Sequence, residues 1–148
     1  MNVAELVSTF QNGVHPQENK EHTEHFPIAR MAFGKTFILP LSQHLGAPSK
    51  PIVEVGQSVL RGQLIADAGG YVSARLHSPV DGTIVAIGPR RHPRGDLSTC
   101  IEIEADPYSN QKMYGSPKAN PLNMSTDEFV ESIQHSGLVG LGGAAFPT

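Results

Sequence analysis

The sequence predicts a mostly β domain with an extended N-terminal arm and a short C-terminal helix. Three observations predict it. Hydrophobic residues make up 39% of the 148, and 15 glycines and 12 prolines interrupt them too often for a helical bundle. The β-branched runs are short and end on glycine. In "CIEIEAD" apolar and acidic residues alternate, the pattern of a strand with one wet face.

Each element follows in order. Residues 1–34 are polar and histidine-rich, as in "GVHPQENKEHTEHFPI", and lack any period, which predicts an extended arm. The β domain covers residues 35–106. It opens on the apolar run "KTFILPL" and continues through "KPIVEVGQSVLRGQLIADA", where Gly56-Gln57 and Gly62-Gln63 stand six residues apart. Each glycine can take the positive φ of a tight reversal, so the chain is expected to zigzag through short strands with abrupt corners. "SPVDGTIVAIG" reads as two strands about an Asp81-Gly82 hairpin turn. Residues 107–124 form a linker with three prolines and little apolar content. In "MSTDEFVESIQHSG", Ser125 and Glu128 predict a capping box and Gly137 a left-handed stop, with Phe129, Val130 and Ile133 facing inward. The loop "VGLGGAAFPT" ends the chain.

Composition narrows the function. Net charge is −3, tryptophan is absent and aromatics are 6%, which argues against a nucleic-acid partner. Cys100 is the only cysteine, so no internal disulfide forms, a reducing compartment fits, and a buried, inert thiol is expected. The N-terminus lacks the basic start and apolar run of a signal peptide. The apolar stretch Leu138–Phe146 is too short and glycine-rich to span a bilayer, so no direct membrane insertion is expected. His15, His22 and His25 lie in a polar arm without a neighbouring cysteine, so no metal site is expected there. His44 and His77 are expected at the core edge with their hydrogen bonds met. The basic run "PRRHPRG", with Arg90, Arg91 and Arg94, is read as a solvated face that could alternatively dock an acidic partner or a phosphate.

The two glycine-anchored stretches, V-x-x-G-x-x-V-x-x-G-Q-x-I and then S-P-x-D-G-x-I, resemble the barrel-sandwich hybrid of lipoyl and biotinyl domains. Those carriers present a lysine at the hairpin tip between the stretches. Here the interval "ADAGGYVSAR" has none; the lysines are Lys20, Lys35, Lys50, Lys112 and Lys118. Without an amine there is nothing to acylate, which removes a swinging-arm carrier role.

A glycine cluster alone is weak evidence, but its setting sharpens it: a capped helix, a glycine stop, then G-x-G-G-A-x-F-P-T. With "GVHPQENKEHT", "ILPLSQHLGAPSKPIVEVGQSVLRGQLIA" and "HSPVDGTIVAI", the whole resembles the RnfC (or RsxC) family, a component of the Rnf ion-translocating electron transport complex. The resemblance implies an N-terminal portion of a longer subunit, peripheral on the cytoplasmic face of the bacterial inner membrane, among the other subunits of that complex. It implies that residues 125–148 open a flavin domain that binds FMN and NADH, followed by cysteine runs for iron–sulfur clusters, of which this chain holds none. It places Gly140, Gly142, Gly143, Ala144 and Phe146 beside FMN and the nicotinamide, and assigns no catalytic residue and no metal ligand here. The related complex I loop reads G-R-G-G-A-G-F-P-T, so Leu141 replaces an arginine and Ala145 a glycine. The implied role is a scaffold, silent on its own; the alternative is a non-enzymatic hybrid-fold adaptor or assembly module.

Overall fold

A computed structural model describes residues 17–115 and 120–148. His15 and Lys118 fall outside the described residues. The chain separates into a unit ending at Ala32 and a unit from Phe33 to Thr148. The described part of the first unit is exposed and holds a run of hydrogen-bonded turns, in which the Thr23 and Glu24 amides donate to the Lys20 carbonyl and the Phe26 amide to the Thr23 carbonyl.

The second unit is the mostly β sandwich that the glycine pattern predicts. Its strands are β1 (Thr36–Pro40), β2 (Lys50–Pro51), β3 (Ser58–Val59), β4 (Leu64–Asp67), β5 (Leu76–His77), β6 (Gly82–Arg91) and β7 (Leu97–Ala105), followed by helix α1 (Thr126–Ser136). One sheet runs β1-β7-β6-β3 and the other β2-β4-β5, with antiparallel pairing throughout. Between them lie Val59, Ile65, Val80, Ile84, Ile101 and Ile103, each at most 2% exposed. Each β-branched side chain removed from water contributes about 1.5–3 kcal/mol, so this small cluster anchors the fold.

The two Gly-Gln pairs form the same turn twice. Gly56 and Gly62 have φ of +89° and +88°. In the first turn the Gln57 amide donates to the Glu54 carbonyl at 3.1 Å and Gln57 Oε1 accepts from the Glu54 amide at 3.0 Å. Gln63 and Leu60 repeat both bonds at 2.9 Å. Glycine thus opens the turn, and glutamine closes it with its side chain as well as its backbone.

Two expectations need correction. Asp81-Gly82 is not a hairpin turn: Gly82 starts the long strand β6, and the β6–β7 hairpin turns at His92–Asp96. Gly82 is not at positive φ; a Cβ there would overlap the Glu104 carbonyl oxygen of β7. Close strand approach, rather than reversal, requires this glycine. Nor does α1 bury the expected face. Its capping box and left-handed Gly137 are as predicted, but Phe129 and Val130 are exposed and only Ile133 is half-buried. The sandwich meets the helix at its C-terminal end, where the backbone of Gly137 packs on the Arg75 carbonyl too closely for a Cβ. The apolar stripe upstream of that contact is left uncovered.

The β4–β5 tip, where carrier domains hold their lysine, folds down onto the preceding loop. The Ala47 amide donates to the Val72 carbonyl at 2.9 Å and the Ser73 hydroxyl to the Ala47 carbonyl at 2.7 Å. Arg75 pairs with Asp67 across the base at 2.7 Å. No helix among the described residues is long and apolar enough to cross a membrane.

Candidate functional site

The site is built at the end of the chain. After Gly137 stops α1 at φ 70°, ψ 25°, Val139 bridges Pro147 in antiparallel register. The Gly140 amide donates to the Phe146 carbonyl at 2.9 Å, and the Thr148 amide to the Leu138 carbonyl at 3.1 Å. These bonds close a loop over residues 141–145. The Leu45 amide seats it on the sandwich by donating to the Ala145 carbonyl at 3.2 Å.

Neither backbone torsion nor packing demands glycine at 142 or 143. Both lie outside the positive-φ region, and an added Cβ at either would meet nothing within 4 Å. Gly46, Gly69, Gly82 and Gly137 differ, since a Cβ at each would strike backbone. Ala145 sits at φ +53°, in the left-handed region where an L side chain is strained by about 1 kcal/mol. This is the position where the resembled loop carries glycine. Ala145→Gly is therefore expected to tighten the loop. Hydrogen exchange at the Leu45 and Gly140 amides should slow by up to about fivefold, given roughly 1.4 kcal/mol per factor of ten. Faster exchange at both amides would show that the strain reading is mistaken.

An open cavity of about 650 Å³ lies between this loop and the sandwich. Gly143, Ala144 and Ala145 line one side; His44, His92 and Arg94 line the other. The backbone amide and Nε of Arg94 donate to His92 Nδ1 at 3.1 and 3.3 Å. Asp96 Oδ1 lies 3.9 Å from that same nitrogen. Arg90, by contrast, spends both Nε and Nη2 on Glu102 Oε2, at 2.9 and 2.7 Å.

His44 is 7% exposed. The Ala74 amide, which can only donate, points to its Nε2 at 3.0 Å, while the Ser73 hydroxyl serves the Ala47 carbonyl. Nε2 also lies 3.0 Å from the Ala47 carbonyl and 3.2 Å from the Ser73 hydroxyl. His44 Nδ1 is the one buried side-chain nitrogen or oxygen without a partner among the described residues. The expectation that both core-edge histidines have their hydrogen bonds met is thus corrected for His44. His77 is half-buried in β5, and burial, then the charges of Arg75 and His135, holds its pKa below the ordinary value.

The five residues taken from the resemblance do not share one wall. Gly143 and Ala144 line the cavity. Gly142 is exposed in the loop, and Gly140 is engaged with the Phe146 carbonyl. Phe146 lines a second cleft of about 560 Å³ with Tyr71, Arg75 and Gln134. No local pattern marks His44, His92 and Arg94 as site residues; they lie some fifty to a hundred positions upstream, and only the fold brings them to the loop. Cys100 is 1% exposed, and burial pushes its thiol pKa up, as expected of an inert cysteine. His22 and His25 are exposed, and no metal-binding cluster of His, Cys, Asp or Glu occurs among the described residues.

Comparison with known proteins gives the relationship. The chain is 37% identical over 143 residues to the C subunit of the Na(+)-translocating ferredoxin:NAD(+) oxidoreductase complex of Acetobacterium woodii, covering 95% of this chain and 32% of that protein. It is 36% identical over 143 residues to the C subunit of the proton-translocating ferredoxin:NAD(+) oxidoreductase complex of Clostridium ljungdahlii, covering 96% and 31%. With the C subunit of the ion-translocating oxidoreductase complex of Pseudomonas aeruginosa it shares 41% identity over 148 residues, covering 96% and 18%. The chain thus spans a third or less of the length of these relatives. Residues 8–108 match the RnfC Barrel sandwich hybrid domain, and the chain belongs to that family.

Proposed function

We propose that this chain is the N-terminal module of the NADH- and FMN-binding, iron–sulfur subunit of an ion-translocating electron transport complex. The module would sit at the cytoplasmic face of the bacterial inner membrane. On this reading the sandwich is a scaffold that docks other subunits, and the 140–146 loop is one wall of the flavin and nicotinamide site. The observation that carries it is the open backbone of Gly142 and Gly143, which nothing inside the fold requires, beside a cavity holding Arg94.

The residues fit the nucleotide in part and the clusters not at all. Bound flavin would accept a hydride from the nicotinamide. Gly142 and Gly143 let main chain approach a ring edge or phosphate without a Cβ between them. Leu141 is 89% exposed and brings no charge where the resembled loop has arginine. A single buried thiol, Cys100, cannot hold an iron–sulfur cluster, so clusters would belong to other parts of the protein.

The reading is tested in the full-length protein and in the 148-residue chain alone. Gly143→Val in the full-length protein should lower flavin affinity by about tenfold, since a β-branched side chain blocks the main-chain approach. The chain alone should oxidise no NADH. Unchanged flavin content in the variant, or turnover by the isolated chain, would overturn the reading. Flavin binding in neither form would favour the adaptor.

A further inference from the structure

We infer that the cavity between the β6–β7 hairpin tip and the 141–145 loop is a phosphate-recognition subsite in which Arg94 supplies the cation. The inference rests on the reading of the loop as part of a nucleotide site, and it adds the group that recognises the ligand. Four observations support it.

Arg94 is the hairpin arginine that both lines the cavity and keeps its charge available. Arg90 is paired with Glu102, and Arg91 does not line the cavity. Arg94 gives its Nε to His92 Nδ1, and its two terminal nitrogens have no partner among the described residues. No carboxylate lines the cavity, although the chain is net negative; Asp96, on the same hairpin, stays exposed. An uncompensated guanidinium beside a carboxylate-free wall favours an anion.

The facing wall supplies neutral donors. Among the described residues, none of the amides from Gly142 to Ala145 donates to a carbonyl or side chain. Free amides at a glycine turn form the kind of concavity that phosphate oxygens fill. His44 also lines this cavity, and its buried Nδ1 has no partner among the described residues. A buried polar nitrogen left unmet is costly unless something outside the chain completes it. The placement also answers the departure at Leu141. The charge absent from the loop is provided across the cavity by the sandwich, which would make the sandwich part of the site it supports.

The ligand class is a phosphate ester, and two sources share that chemistry: the monophosphate of FMN and the pyrophosphate of a nicotinamide dinucleotide. The test is an amide-resolved NMR titration of the 148-residue chain at fixed ionic strength. The probes are inorganic pyrophosphate, FMN, NADH and phosphate-free riboflavin. Pyrophosphate should produce saturable shifts at Arg94, Gly143 and Ala144. Arg94→Ala should weaken it by about tenfold or more, and Arg91→Ala by less than about twofold, as a charge-assisted contact predicts. FMN binding tighter than NADH and riboflavin would assign the flavin phosphate, and NADH binding tightest would assign the dinucleotide.

Absence of any saturable pyrophosphate shift, or equal losses in the two arginine variants, would overturn the subsite. Failure of the two readings is distinguishable. Should full-length flavin affinity depend on Gly143 while Arg94 matters to no probe, the loop reading stands and the subsite falls. Should Arg94-dependent pyrophosphate binding coexist with no preference for either nucleotide, the subsite stands and the flavin reading falls.

Discussion

Replacing Gly82 with alanine will unfold the sandwich at far lower denaturant than the same change at Gly88 in the same strand. At Gly82, as at Thr83, β6 is flanked on both sides; the partners of Gly82 are Val59 of β3 and Ala105 of β7. A methyl group there would overlap the Glu104 carbonyl oxygen and approach Ile103 Cγ2 to 3.0 Å. The obstacle is backbone, which cannot rotate away, so β7 must separate from β6. Ile84, Ile101 and Ile103 are all 0% exposed and lie on this pair of strands. Overpacking at such a position costs about 3 kcal/mol, and more if strand pairing is lost. At Gly88 an added Cβ meets nothing within 4 Å, and the alanine there should be neutral or slightly stabilising. Urea titrations that share one slope give the comparison directly. A Gly82→Ala unfolding free energy within about 1 kcal/mol of the parent would mean that strand contact does not set the stability.

The same residue shows what the sequence made legible. Asp-Gly before a β-branched run is a strong hairpin signal, because the usual reason for glycine there is positive φ. Gly56 and Gly62 obey that logic, and their corners could be read from the chain directly. Gly82 does not, because its constraint comes from Glu104, which is adjacent only once β6 and β7 pair. Long-range contact likewise decided α1. Its cap and stop are local and legible, whereas burial of Phe129 and Val130 depends on a surface that the sandwich does not offer them.

The candidate site divides in the same way. A glycine loop after a capped helix is visible in one short stretch, and so is the absence of lysine from the β4–β5 tip. Arg94 and His44 carry no such mark. "PRRHPRG" reads as a solvated run, and in part it is one, since Arg91 and Arg94 are exposed. What sets Arg94 apart is that Glu102 takes Arg90, leaving one guanidinium free beside residues 143–145. That pairing depends on the register of β6 against β7, which residue types alone do not specify.

Loss of the Asp81 carboxylate should be nearly as damaging as Gly82→Ala, and it should leave a pH signature. Asp81 is nine-tenths buried. It accepts hydrogen bonds from the Arg61 amide and the Ser109 hydroxyl. Its own amide donates to Gln111 Oε1 at 2.8 Å, and its carbonyl accepts from the Asp106 amide at 2.8 Å. Through these contacts the segment after β7 is drawn back over the second Gly-Gln turn, where the Tyr114 amide meets the Arg61 carbonyl at 2.6 Å. Asp81→Ala strands the Arg61 amide and the Ser109 hydroxyl together, a loss of about 2–4 kcal/mol, whereas Asp81→Asn keeps one acceptor and should lose about half as much.

The Ser109 hydroxyl, and then the Arg61 amide, hold the Asp81 pKa below its ordinary value. A carboxylate depressed in the folded state contributes stability that is fully present above its unfolded pKa, near about 3.9. That contribution fades as pH falls through the lower folded value. The stability gap between parent and Asp81→Asn should therefore be flat from neutral pH to about pH 5 and close below about pH 4. Asp67 and Glu128, also depressed, titrate in the same acid range in both proteins and cancel from the difference. A gap that stays constant to about pH 2.5 would show that Asp81 acts through shape alone, with its charge contributing nothing.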